Sequence, residues 1–165
     1  TPWGLMTHLT ESKYNNLTRC KTIQNPYSLL NRLFEVNLAE VSMREKVGLL
    51  AYSPLAFGML TGKYLNGKLP ENSRLKLFPQ YGRYNNEQAH ILTQKYFDLA
   101  KDLNISLAQL SLAFVNQQPF LTGNIIGATT MEQLKENIDS INVGLSEETL
   151  KKINEIQAIQ PNPAP

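Results

Sequence analysis

Two short apolar runs, "VGLLAYS" (47–53) and "NIIGA" (124–128), set the narrowest limits on what this chain can become. Near-continuous apolar runs of this length are typical of strands covered on both faces, as in parallel sheets flanked by helices. A third run, "CKTIQNP" (20–26), reads as a shorter strand stopped by Asn-Pro. Helical periodicities lie before, between and after these runs. That alternation specifies an α/β fold with a parallel sheet and right-handed crossovers.

The helices are marked by their caps and spacing. Thr1 and Pro2 read as the cap and first residue of a helix over 2–16. Residues 34–46 are expected to be helical, with Val36, Ala39 and Met43 sharing one face. Residues 54–84 are polar, contain Gly and Pro, and show little periodicity. Asn85 or Asn86 caps a helix to about Leu103, along which Ala89, Leu92, Tyr96 and Leu99 recur. Ser106 and Gln109 form a capping box for a helix through Phe114. "TMEQLKENIDSI" follows the last strand as a helix, Ser146 caps the final one, and "PNPAP" reads as an extended tail.

Three strands cannot close a barrel, and eight βα units need ~250 residues. A doubly wound dinucleotide fold would carry a Gly-rich turn after its first strand, and neither "NPYSLLNR" nor "SPLAFG" matches one. The expectation is the back end of a larger barrel, in a chain that starts in the middle of a fold.

With 165 residues there is enough chain for one domain with a substantial core. Sixteen basic residues against 14 acidic ones call for neither nucleic acid nor an anionic membrane. No apolar run approaches the ~20 residues of a membrane span, and "TPWGLMTHL" lacks the features of a signal peptide. The single cysteine, Cys20, excludes an internal disulfide and reads as a buried thiol. That usage fits a reducing, cytoplasmic setting.

In parallel α/β proteins, chemistry collects beyond the carboxyl ends of the strands, and barrels place phosphate after their last two. Here those loops are "SPLAFGMLTGKY" and "GATTMEQ". Ser53, Gly58 and Gly62 let backbone amides approach an anion, with Lys63 and Arg74 close by in sequence. Thr129 and Thr130 open a helix whose amides and dipole favour phosphate. Each feature also has a plainer reading: a threonine cap, a capping box "TMEQ", and solvated surface cations. Tyr52, ending "GLLAY", is either a stacking surface for a flat heterocycle or a packing plug. Gln24 either reads an amide or caps a loop. Aromatic ring, amide and pyrophosphate partners together describe a nicotinamide dinucleotide.

"IQNPYSLLNR", "LLAYSPLAFGMLTGKY" and "IIGATTMEQLKENI" resemble the last three strand–loop segments of the aldo-keto reductases, in the branch that includes the potassium-channel β-subunits. The resemblance runs through essentially the whole chain. It implies the C-terminal portion of a TIM (β/α)8 barrel, about strands 6–8 with their helices, with residues 1–165 forming part of one barrel domain whose N-terminal half is absent. It also implies NADP(H) bound without a Rossmann domain. By position, Gln24 would bind the carboxamide and Tyr52 would stack on the nicotinamide. Ser53, Pro54, Leu55, Ala56 and Gly58 would wrap the pyrophosphate, with Lys63 and Arg74 supplying charge. Gly127 and Thr129 would hold the adenosine phosphate end, and Gln133, Glu136 and Asn137 would contact ribose phosphate and adenine. Gln133 stands where some family members carry Arg.

The family's proton-donating Tyr, its Lys partner, its Asp and its His belong to earlier strands, and no residue of this chain matches those roles. The resemblance therefore implies an oxidoreductase whose substrate is a small aldehyde or ketone, with most of the cofactor site here and the acid–base groups elsewhere. A non-catalytic nucleotide-binding module is the rival reading. Neither reading involves metal, nucleic acid or membrane. The open sheet edges of such a piece are expected to favour self-association.

Overall fold

A computed structural model describes residues 1–80 and 82–165. Among them, parallel strands β1 (Thr22–Pro26), β2 (Gly48–Tyr52) and β3 (Leu121–Ile125) form one sheet in the order β1-β2-β3. Helix α1 (Pro2–Tyr14) precedes β1, and α2 (Leu33–Val36) and α3 (Leu38–Glu45) join β1 to β2. Helices α4 (Arg74–Leu77), α5 (Glu87–Asp102) and α6 (Leu107–Asn116) lie between β2 and β3, and α7 (Met131–Asp139) and α8 (Glu147–Ile159) close the chain. The α/β fold with a parallel sheet is the one the alternation specified.

The strongest local signals hold. Thr1 caps α1 by accepting from the Gly4 amide, and Pro2 takes the first turn. Asn86 caps α5, both arms of the Ser106–Gln109 box are formed, and Ser146 caps α8. Ala89, Leu92, Tyr96 and Leu99 are all buried on one face of α5.

Residues 34–46 depart from the expected face and from continuity. Asn37 breaks the segment at φ −139°, and Val36 and Met43 are exposed while Phe34, Leu38, Ala39 and Ser42 are buried. A serine interrupts the apolar pattern of that face, and its hydroxyl is satisfied by donating to the Val47 carbonyl. Lys46 ends α3 in a left-handed conformation, and the Val47 amide donates back to the Ser42 carbonyl at 3.0 Å. This is a Schellman-type stop without its usual glycine.

Strand β3 lies three residues earlier than "NIIGA". The Leu49 amide donates to the Phe120 carbonyl at 2.8 Å and fixes the register there. A bulge between Leu49 and Leu50 then takes up Thr122. Gly48 makes room for it: a Cβ at Gly48 would lie 1.7 Å from Thr122 Oγ1. Pro26, which has no amide proton to donate, is tolerated at the end of an edge strand.

The sheet is covered on one face only, although its apolar runs read as covered on both. Leu49 and Ala51 are fully buried against the helices, whereas Gly48, Leu50 and Tyr52 are half-buried. Gln24, Leu50 and Gly123 are lateral neighbours on the open face, as are Pro26, Tyr52 and Ile125. The helices beside the two sheet edges also carry exposed apolar groups: Trp3 and Tyr14 on α1, Met131 and Ile138 on α7.

On the covered side Tyr27 stacks on Phe114 at 5.9 Å and meets Phe120 edge-on at 5.3 Å. Its phenol pairs with Glu35, which is also held by Arg32 through two hydrogen bonds at 2.6 and 2.7 Å. The Arg32 guanidinium lies 5.0 Å from the centre of the Phe114 ring. The "PNPAP" segment is docked instead of trailing free. The Arg32 amide donates to Asn162 Oδ1, Asn86 Nδ2 donates to the Pro163 carbonyl, and the buried Ala164 donates to the Leu30 carbonyl. Residues 54–84, read as aperiodic, supply Met59, Leu60, Tyr64, Leu75 and Tyr84 to the same core.

Candidate functional site

Because β2 and β3 are adjacent and parallel, the loops that follow them emerge at the same end of the sheet. The loop after β2 is unusual in its backbone. Ser53, Ala56, Phe57, Gly58 and Gly62 have φ of 54°, 47°, 60°, 93° and 78°. Only glycine enters that region freely, and each non-glycine residue there costs ~1–3 kcal/mol unless its surroundings impose it. The turns are closed by hydrogen bonds from Ala56 to the Ser53 carbonyl and from Gly58 to the Leu55 carbonyl, at 2.9 and 2.8 Å. Pro54 and Ala56 are buried and Leu55 is half-buried, so the loop is anchored from below. Three consecutive left-handed residues, Ala56 to Gly58, follow right-handed Leu55, a mixture of backbone conformations of the kind found in anion-binding loops.

Two cations border this loop. A Cβ added to Gly58 would sit 2.8 and 2.9 Å from Lys63 Cε and Nζ, so the lysine side chain lies along the bare backbone of Gly58. Arg74 is exposed and its guanidinium lies 4.8 Å from the centre of the Phe57 ring. Phe57 in turn stacks on Tyr84 at 5.8 Å and 26°. Burial raises the Tyr84 phenol above its ordinary pKa, against the pull of Arg83 and of a hydrogen bond with Ser53. Neither Phe57 nor Tyr84 stood out in the sequence. They are 27 positions apart in an aperiodic stretch, and the only local sign was the run "AFG" with a bulky residue beside glycine.

The loop after β3 is less bare than its threonines indicated. Thr130 Oγ1 accepts from the Gln133 amide, and Gln133 Oε1 accepts from both the amide and the hydroxyl of Thr129 at 3.1 Å each. The Glu132 carboxyl is held below the usual carboxylate range by its own backbone amide and then by the Thr130 hydroxyl. Part of the positive end of α7 is therefore already answered by side chains of the same turn. Asn137 is buried and donates to the Gly127 carbonyl at 3.4 Å, tying the loop to the helix, and Glu136 is half-buried beside it.

The structure thus gathers the residues singled out from sequence into two groups. Tyr52, Ser53, Pro54, Leu55, Ala56, Gly58, Lys63 and Arg74 share the β2 end, and Gly127, Thr129, Gln133, Glu136 and Asn137 the β3 end. Gln24 is exposed on the open face of β1, with its Cα roughly 8 Å from that of Tyr52 by strand geometry. His90 pairs with Asn85 Oδ1 at 2.8 Å on the surface of α5. His8 and Cys20 line a crevice of about 350 Å³ between α1 and the β1 edge, away from the loops after β2 and β3. Cys20 is half-buried there, not the buried thiol expected. No helix among the described residues is long and apolar enough to cross a membrane.

Comparison with known proteins converges on one family. The sequence pattern described as "Aldo/keto reductase family" matches residues 1–158. Protein tas of Escherichia coli is 50% identical over 165 residues, covering 100% of this chain and 48% of that protein. L-glyceraldehyde 3-phosphate reductase of Escherichia coli is 33% identical over 127 residues, 72% of this chain and 36% of that protein. A probable voltage-gated potassium channel subunit beta of Arabidopsis thaliana is 36% identical over 100 residues, 59% of this chain and 30% of that protein. The chain thus spans about half the length of the curated relatives it matches, and the match to the family pattern reaches from α1 to α8 through both candidate loops. This chain belongs to the aldo/keto reductase family.

Proposed function

We propose that the chain is the C-terminal portion of a (β/α)8 barrel, one part of a single domain, and that the complete protein reduces an aldehyde or ketone with NADP(H). The observation that carries this reading is the loop after β2. Its left-handed turns, of the kind found in anion-binding loops, are bordered by Lys63 and Arg74, immediately beyond the half-exposed ring of Tyr52. The half-covered sheet, its two edges and the apolar surfaces of α1 and α7 favour further βα units on either side.

The donor set fits a nicotinamide dinucleotide. Tyr52 offers a flat surface on the open face and Gln24 an amide-reading group on the same face. With the Ala56 and Gly58 amides spent on the Ser53 and Leu55 carbonyls, the remaining amides of this loop, together with Lys63 and Arg74, suit a pyrophosphate. Thr129 and the first turn of α7 suit the phosphate at the adenosine end, with the Thr129 amide and hydroxyl transferring to it from Gln133 Oε1. Gln133 and Glu132 bring no positive charge to that end, so selection of a 2′-phosphate rests on hydroxyl and amide donors. Bound there, the nicotinamide supplies the hydride that reduces a carbonyl carbon. This chain's residues fix the ring's plane and shield one face of it. The acid that protonates the developing alkoxide would come from the part of the complete protein outside this chain, since no residue here matches the acid–base positions that the resemblance implies.

Replacing Tyr52 with Ala in the complete protein is expected to weaken NADPH binding several-fold, since stacking adds ~0.5–1.5 kcal/mol beyond buried area. ADP-ribose, which lacks the nicotinamide, should bind the variant unchanged. Equal NADPH affinity and equal turnover in Tyr52→Ala would remove Tyr52 from the ring site. The similarity to the channel subunit supports a second reading, in which the nucleotide is held without turnover. A complete protein that binds NADPH and reduces no aldehyde or ketone would favour it.

A further inference from the structure

Among the described residues Arg74 forms no ion pair, and as an exposed side chain it has the freedom to point anywhere in solution. Its guanidinium nevertheless lies over the Phe57 ring, at 4.8 Å. Phe57 itself adopts φ +60° and ψ 18°, a conformation that a bulky aromatic residue enters only when held there. Its ring also stacks on the buried Tyr84, a contact that helps to hold it. The hydroxyl of Ser53, the first residue after β2, acts on the Tyr84 phenol and lowers its pKa against the effect of burial. A chain of contacts thus runs from the strand end through Tyr84 and Phe57 to the charge of Arg74.

We propose that Phe57 is a positioning residue: in contact with both Tyr84 and Arg74, it holds the guanidinium beside the β2 loop, ready for a phosphate oxyanion. The inference rests on the dinucleotide reading of the β2 loop and goes beyond it by assigning a role to a side chain outside the donor set. The left-handed backbone at Phe57 is a cost that accompanies the placement of its ring against Tyr84 and Arg74. An arginine without an ion pair would otherwise lose rotamer freedom on binding. Stacking removes much of that freedom beforehand, which is how preorganisation raises affinity.

The test uses the complete protein and four variants. Phe57→Gly removes the ring while tolerating the left-handed backbone, and Phe57→Leu keeps apolar bulk without a π face. Phe57→Tyr keeps the ring, and Arg74→Met removes the charge. Dissociation constants for NADPH and for ADP-ribose are measured by titration, with KM for NADPH, kcat and thermal melting alongside. Phe57→Gly and Phe57→Leu should each weaken both ligands roughly three- to tenfold. KM for NADPH should rise with kcat held, and melting should stay within a few degrees of the parent. Phe57→Tyr should restore binding, and adding Arg74→Met to Phe57→Gly should cause little further loss. If Arg74→Met weakens binding while Phe57→Gly and Phe57→Leu do not, or if the losses simply multiply, Phe57 does not act through Arg74. If Arg74→Met leaves both ligands unaffected, the guanidinium is not at a phosphate and the proposal falls while the Tyr52 site stands. A parent protein that binds neither ligand overturns the dinucleotide reading together with this one.

Discussion

Raising the pH above 10 should destabilise the fold steeply. Tyr27 and Tyr96 are both fully buried, and burial is the main force raising their phenols far above the ordinary value of about 10. The neighbouring Glu35 carboxylate pushes in the same direction, and for Tyr27 the hydrogen bond with Glu35 adds to it. Both phenols stay protonated in the native state while the unfolded chain loses their protons. Their contribution is therefore complete below pH 10 and declines as pH rises past it, at about 1.4 kcal/mol per pH unit for each phenol. By pH 11.5 the two together have removed roughly 4 kcal/mol, a large share of typical domain stability. Tyr96→Phe isolates the effect, because its hydroxyl makes only a long hydrogen bond to the Leu29 carbonyl at 3.4 Å. That variant should melt like the parent at pH 8 and lose about half as much with each pH unit above 10. Parallel pH profiles for the two proteins would show that Tyr96 does not take part.

Residues 1–165 alone should reduce no aldehyde or ketone, a deficit of at least ~10²–10⁴-fold against the complete protein for want of a positioned acid. The chain should also self-associate. Leu50, Tyr52 and Ile125 sit on an open sheet face, and β1 and β3 each present an unpaired outer edge. Trp3, Tyr14 and Met131 add apolar surface beside those edges. Sedimentation and an NADPH-oxidation assay on the purified chain decide the matter. A cooperative monomer that turns over a carbonyl would place the acid–base groups within these residues after all.

How much of this was legible beforehand varied with the kind of physics involved. Helices α5, α6 and α8 could be read closely because cap, periodicity and burial agree residue by residue. Strand β3 could not, since its bounds follow from the Leu49–Phe120 hydrogen bond and the bulge at Thr122, which are properties of its neighbour. The face of α3 was missed because Ser42, a polar residue, is buried there and satisfied by a carbonyl outside the helix. The docked tail depends on Arg32, Asn86 and Leu30, all distant in sequence. At the site, the residues proposed as donors could be picked out by type and place, but the stack linking Phe57 to Tyr84 and Arg74 is tertiary and left no periodic trace. At α7 the plainer reading of "GATTMEQ" as a threonine cap is the one formed without a ligand, through Thr130, Gln133 and Glu132.

The placement of the cofactor in these two loops is tested most directly by amide hydrogen exchange on the complete protein with and without NADPH. Exchange should slow over residues 53–63 and 129–134, with little change along α8 or in the docked tail. Protection confined to other segments, or none at saturating NADPH, would contradict the assignment of the cofactor to the ends of β2 and β3.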